Sequence, residues 1–246
     1  MDVAGRTAVI TGASRGLGAG LAEAFHGCGM QLALCSRSAP ALAEGERVMA
    51  RCVDVVDAEA VSAFAEEAAV RFGRLDLWIN NAGVLDPIQP LRDLDPGAAR
   101  QHLDVNVMGT LLGCQAYLRQ VRRQAGGGVL VNISSGAARK PYAGWSVYCA
   151  AKAAVDRLTE CIDVEERDGG LRAYAVAPGV VDTAMQAQIR ASRVEDFPER
   201  ERFVAMKRDG AFSSPAFVAE RILELAFDPA HRPDGVLVRL PSEPAG

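Results

Sequence analysis

Short apolar runs alternate along the chain with longer stretches of helical period. Residues 7–11, 31–35, 51–53, 75–79, 129–133, 171–177 and 235–240 each predict a strand. Their near-continuous apolar character is what strands covered on both faces show. Between them, Leu17, Leu21, Ala24 and Phe25 recur at helical spacing after a glycine-rich turn, and Gly27 and Gly29 close that helix. Val61, Phe64, Ala65, Ala68 and Phe72 do the same over 58–72, and a long helical region runs from about Pro96 to Gln124 before Gly126, Gly127 and Gly128 break it. A further helix starts near Trp145 with a stripe at Val147, Ala151, Ala154, Leu158 and Ile162, and Gly169 and Gly170 end it. Residues 184–209 are charged and helix-compatible, 215–225 are helical, and the tail from Pro241 to Gly246 is expected to fray. Strands alternating with helices predict βαβ units and a parallel sheet with helices on both faces. The expected fold is a single doubly wound α/β domain of about seven strands over residues 1–246, with no linker or repeat dividing it.

Composition narrows the class. With 49% hydrophobic residues among 246, the chain can bury a substantial core. A net charge of −4 with mixed signs gives no sign of a nucleic-acid or membrane-surface partner. No apolar run approaches the roughly 18 residues of a membrane span. Six cysteines without a C-x-x-C pair, and three scattered histidines (His26, His102, His231), argue against a metal site or a disulfide framework. Reduced thiols and the lack of a charged-then-apolar signal region make a cytoplasmic location the expectation.

Two stretches carry candidate chemistry. Gly12, Gly16 and Gly18 follow the first strand and enter a helix, the arrangement in which backbone N–H groups and a helix N-terminus meet a pyrophosphate. The spacing G-x-x-x-G-x-G departs from the generic dinucleotide fingerprint. Farther on, Tyr148 and Lys152 are four residues apart on one helix face, downstream of Ser134 and Ser135 at a strand end. A hydroxyl, a phenol and an ammonium there could hand a proton to a carbonyl oxygen. A nearby cation is expected to lower the phenol pKa toward the working range.

These motifs together resemble the short-chain dehydrogenase/reductase superfamily. Residues 11–18 (Thr-Gly-Ala-Ser-Arg-Gly-Leu-Gly) look like its cofactor turn and residues 80–83 (Asn-Asn-Ala-Gly) like its N-N-A-G motif. Asn106 resembles its helix asparagine, Ser135, Tyr148 and Lys152 its catalytic residues, and 178–183 its P-G-x-V-x-T segment. The resemblance implies a Rossmann-type fold, a nicotinamide dinucleotide and reversible hydride transfer. It implies that Gly12, Ser14, Arg15, Gly16, Leu17 and Gly18 hold the cofactor, with Ser36 and Arg37 after the second strand and Asp54 and Val55 at the adenine. It further implies that Asn81, Ala82 and Gly83 line the cofactor path, with Pro178, Gly179, Val181 and Thr183 at the nicotinamide. Tyr148 and Lys152 would touch the cofactor as well, Lys152 through the ribose hydroxyls. Asn106 would bend its helix and hold a water leading from Lys152 to solvent. The family spacing of serine to tyrosine selects Ser135, leaving Ser134 a structural role.

The second strand ends in Leu-Cys-Ser-Arg37 with no acid to hold a free 2′-hydroxyl. Arg15 and Arg37 could clamp a 2′-phosphate, favouring NADP(H) over NAD(H). Tyr142, Trp145 and Met185 suggest an apolar, aromatic-tolerant substrate pocket, with residues 139–145 as its wall and 184–212 as a lid. Within the family the chain resembles the sepiapterin reductase group, including bacterial members that reduce benzil-like diketones. Arg239 or a neighbour, however, falls where sepiapterin reductases carry the acid that anchors the pterin. Reduction of a ketone or vicinal diketone is the expectation. The alternatives are an alcohol dehydrogenase working in the oxidising direction and a catalytically silent NADP-binding regulator. A homodimer or homotetramer is expected, with Cys114, Tyr117, Leu118 and Cys161 as residues of either interface or core.

Overall fold

Alternation within each strand divides the interior in two. In β1 (Thr7–Thr11), Ala8 and Ile10 face one layer while Val9 faces the other, and Leu77, Trp78 and Ile79 of β4 (Leu77–Asn80) repeat the pattern. The computed structural model describes residues 2–244; the Ala245 and Gly246 part of the expected fraying tail lies outside them. Seven strands, completed by β2 (Gln31–Ser36), β3 (Val48–Cys52), β5 (Gly128–Ile133), β6 (Leu171–Ala177) and β7 (Leu237–Arg239), form one sheet in the order β3-β2-β1-β4-β5-β6-β7. Every pairing is parallel. The chain is thus a doubly wound α/β domain, as expected. Order reverses between β1 and β4, so a crevice opens there at the strands' carboxyl ends.

On one face α1 (Gly16–Gly27) and α8 (Pro215–Phe227) bury Leu21, Phe25, Ile222 and Leu223. On the other lie α2 (Ala58–Phe72), α4 (Gly109–Val121) and α5 (Ser146–Glu166), around Phe64, Trp78, Tyr117 and Ile162. Cys114 and Tyr117 are therefore core rather than interface, and Cys161 is exposed.

Several expected boundaries move. The third strand begins at Val48 instead of Arg51, because Val48 and Met49 pair with Leu32 and Ala33 and are the buried residues of that edge. The long helix is α3 (Pro96–Leu103) joined to α4 through a π-helical turn at Asp104–Met108. In α5 the buried stripe takes Val155 and Thr159, while Ala154 and Leu158 are only half-buried. The charged segment divides into α6 (Ala184–Ala191) and α7 (Arg200–Arg208). The tail is held as far as Glu243: its carboxylate accepts the Ser214 hydroxyl at 3.0 Å at the start of α8.

Candidate active site

The glycine turn is shaped by the strand beside it. Gly12 has φ +69°, and a Cβ there would come within 2.7 Å of the Ala82 Cα. Asn81 locks the turn: its Nδ2 donates to Thr11 O at 2.9 Å and Gly12 O at 3.2 Å. The backbone N–H groups of Asn81 and Ala82 donate to Thr11 Oγ1 at 3.0 and 3.1 Å. Arg15 precedes α1 without a side-chain cap, so no cap side chain occupies the first-turn N–H groups. Across the crevice, Thr183 lies 3.4 Å from where a Gly16 Cβ would stand. Such a cradle, bare at the backbone and open at a helix N-terminus, fits a pyrophosphate.

The structure brings the remaining expected cofactor residues to the same carboxyl edge. Ser14 and Leu17 are half-buried in the turn beside buried Gly18. Ser36 donates to Ser38 O at 2.6 Å and so shapes the bend that carries exposed Arg37. Asp54 accepts the Val56 N–H at 3.3 Å, and Val55 is buried against α4. Gly83 lies against the Asn106 amide, Pro178 is buried, Gly179 turns with φ +81°, and Val181 bridges to Ser213. Arg15 is exposed, and among the described residues neither Arg15 nor Arg37 is paired with a carboxylate.

Tyr148 and Lys152 are both buried, on the face of α5 turned to the end of β5. Burial holds the Tyr148 phenol pKa above the ordinary tyrosine value, and the Ser135 hydroxyl only partly offsets it. The expected lowering by Lys152 is not what the structure shows. The ammonium is turned to the Ile133 carbonyl at 2.7 Å and stands 5.8 Å from the phenol ring centroid. Burial pushes Lys152 itself down to about 8, against the charge of Asp156. Ser134 donates to Asp156, and Ser135 Oγ accepts the Ala137 N–H at 3.1 Å.

Asn106 sits in the π-helical turn, and its amide makes three hydrogen bonds. Its Oδ1 accepts the Val84 N–H at 3.1 Å, while Nδ2 donates to Val84 O at 2.9 Å and to His102 Nε2 at 2.8 Å. His102 closes the set through Nδ1 to Asp86 O at 2.7 Å, and its ring meets Tyr148 edge-on at 5.9 Å. Sequence reading grouped His102 with scattered histidines. The available signal was its position one helical turn before Asn106.

The substrate side is aromatic. Trp145 packs 5.5 Å from Tyr148 and 5.1 Å from Tyr142, and Met185 borders the same cluster. Phe197 stacks on Trp145 at 4.4 Å and Phe203 lies at 5.6 Å, so the charged 184–212 segment turns an aromatic face inward. These two were not singled out in the sequence, although they are the large apolar residues of a charged stretch. Trp145 Nε1 and Gln186 Oε1 are buried without hydrogen-bond partners.

Comparison with known proteins adds four likenesses. Residues 6–194 match the family model for short chain dehydrogenase. The chain is 33% identical over 224 residues to a benzil reductase ((S)-benzoin forming) of Bacillus subtilis (strain 168), across 88% of this chain and 91% of that one. It is 35% identical over 232 residues to a cis-4-hydroxycyclohexanecarboxylate dehydrogenase of Sinomonas cyclohexanicum, across 92% and 90%. A short chain dehydrogenase from Burkholderia cenocepacia J2315, solved in complex with NADP, superposes with a TM-score of 0.77 at 28% identity, across 98% and 90%. The first two names give different substrates at nearly equal similarity, so the reacting group must be argued from the site.

Proposed function

Since the chain belongs to the short-chain dehydrogenase family of nicotinamide-dependent oxidoreductases, we propose that it is an NADPH-dependent carbonyl reductase acting on a ketone or vicinal diketone. The observation that carries this reading is the buried Tyr148, whose phenol feels the Ser135 hydroxyl, one helical turn from buried Lys152. When bound, the nicotinamide supplies the hydride. Ser135 holds the substrate oxygen, and Tyr148 gives it the proton that reduction consumes. Lys152 keeps a positive charge beside the developing oxyanion and, by family likeness, orients the ribose hydroxyls. Thr183 and Val181 line the nicotinamide end, and Asn81 fixes the path between.

The protonation state of the phenol suits reduction. With its pKa held above the ordinary value, Tyr148 keeps its proton at neutral pH, the form needed for reduction. Oxidation would need the phenolate. A dehydrogenase working the other way is the reading that the name of the Sinomonas cyclohexanicum relative, among others, favours. A silent regulator is disfavoured by the intact Ser135, Tyr148 and Lys152. NADPH is preferred because Arg15 and Arg37 are free of carboxylates at the ribose end, and the Burkholderia cenocepacia relative was solved with NADP. A pterin fits poorly. Arg239 lines a hollow of about 170 Å³ beside Ser135, and a cation cannot accept the pterin's N–H donors.

The test is an assay of NADPH against NADH oxidation with benzil, a simple aliphatic diketone and sepiapterin. Turnover with NADPH on the diketones is expected. No turnover with either cofactor on a broad carbonyl panel would overturn the proposal, and faster alcohol oxidation with NAD would favour the dehydrogenase.

A further inference from the structure

At the opposite edge of the sheet, where the strands begin, a second hollow of about 460 Å³ lies between the starts of β1, β5 and β6 and the end of α8. Five arginines line it: Arg6, Arg74, Arg167, Arg172 and Arg232. Only two carboxylates, Asp76 and Asp163, share the lining, and both are committed. Asp76 accepts Arg74 Nε at 2.7 Å and the Thr7 N–H at 2.9 Å. Asp163 accepts Arg167 Nη2 at 2.7 Å. Arg6, Arg172 and Arg232 are left without a carboxylate partner among the described residues.

The three are placed differently, and each leaves donors unused. Arg6 lies over the Phe227 ring at 4.6 Å, and its guanidinium makes no hydrogen bond among the described residues. Arg172 Nη2 donates to Ala226 O at 2.7 Å, while its Nη1 is buried with no acceptor. Arg232 is exposed at the rim. A buried donor on a charged group is seldom left unmade, and three like charges around one hollow repel unless something negative sits between them. Water satisfies a donor but not the charge. We infer that this hollow binds a small oxyanion carrying two or more negative charges, held by guanidinium forks in the way that suits phosphate or paired carboxylates. The site is separate from the candidate active site. A strand of five residues, roughly 17 Å long, stands between Arg6 and the Gly12 turn. A bound anion would tie β1, β6 and α8 together, so its first effect is on stability.

The measurement is thermal unfolding of the full chain saturated with NADPH, which keeps the added anion from the Arg15–Arg37 end. Phosphate, citrate and chloride are titrated at matched ionic strength. Comparison is with an Arg6→Gln/Arg232→Gln variant, both changes lying at exposed positions. Phosphate or citrate is expected to raise the midpoint saturably, with affinity about tenfold or more weaker in the variant. A rise with phosphate alone assigns a phosphate group as ligand, and a rise with citrate alone a polycarboxylate. Equal rises in both proteins, as general salt exclusion gives, or no rise over chloride, would overturn the inference. The NADPH affinity of the variant, read separately, should match that of the parent, so failure here leaves the catalytic proposal standing.

Discussion

Burial drives two neighbours on one helix turn in opposite senses: the Tyr148 phenol upward and the Lys152 ammonium down to about 8. A low-dielectric site disfavours whichever form is charged, so both groups move toward neutrality. At neutral pH the phenol keeps its proton and the lysine is still mostly charged. Tyr148→Phe is expected to lower carbonyl turnover by about 10²–10⁴-fold while leaving NADPH binding, followed by fluorescence titration, nearly unchanged. Equal turnover would remove Tyr148 from the mechanism. His102 carries a second prediction. Its Nδ1–H donates to Asp86 O and its Nε2 accepts from Asn106, so a proton on Nε2 would face another donor. Burial, aided by the Lys152 charge and opposed by Asp86, holds its pKa below the usual 6.5. In the unfolded chain His102 takes up a proton as pH falls through 6.5, whereas in the fold it resists. Stability present above that pH is therefore lost below it. Urea midpoints of the parent should drop more between pH 7 and 5 than those of His102→Gln. Parallel drops would clear His102 of the acid limb.

At the level of elements, a chain of buried amides positions the candidate catalytic helix. Trp78 Nε1 donates to Asn80 Oδ1 at 2.8 Å, Asn80 Nδ2 to Asn132 Oδ1 at 2.9 Å, and Asn132 Nδ2 to Thr159 Oγ1 at 2.9 Å. These bonds tie β4 and β5 to α5 below Tyr148. Thr159→Val keeps the volume but leaves Asn132 Nδ2 without its acceptor. The expected cost is about 1–3 kcal/mol in urea denaturation, and a change near zero would show that another acceptor takes over. The sequence pattern anticipates the existence of β4, β5 and α5, since apolar period sets them. It does not anticipate the π-helical turn, because the roughly 100° shift of the apolar stripe that an extra residue brings reads the same as a change of packing partner. The turn is held by the pairing of Asn106 with Val84, twenty-two residues earlier. Likewise Arg51 looks like strand interior but sits on an open edge, where its charge meets Glu44 and Glu67.

Across the whole molecule, the sheet separates two charged ends. The carboxyl edge holds the glycine turn, the Ser135–Tyr148–Lys152 group and the aromatic cluster around Trp145, and the amino edge holds the arginine hollow. The carboxyl edge was legible because its residues follow strand ends directly, and strand ends can be read from the apolar pattern. Phe197, Phe203 and the Glu243 anchor were not, because each acts through a partner far away in sequence, and His102 shows its role only once Asp86 and Tyr148 are brought to it. Cofactor preference lies between these cases. Arg15 and Arg37 are read from the sequence, and the fold brings both to the crevice with no carboxylate paired to either. If they clamp a 2′-phosphate, each forms a charge-assisted hydrogen bond worth about 1.5–3 kcal/mol, or roughly 10–100-fold in affinity. Arg15→Ala/Arg37→Ala should therefore raise the KM for NADPH by at least about tenfold and leave that for NADH nearly unchanged, with kcat close to that of the parent. Steady-state kinetics with both cofactors on one diketone decides it. An unchanged preference for NADPH would move phosphate recognition to other residues, and a matched loss for both cofactors would show that the arginines hold the turn itself.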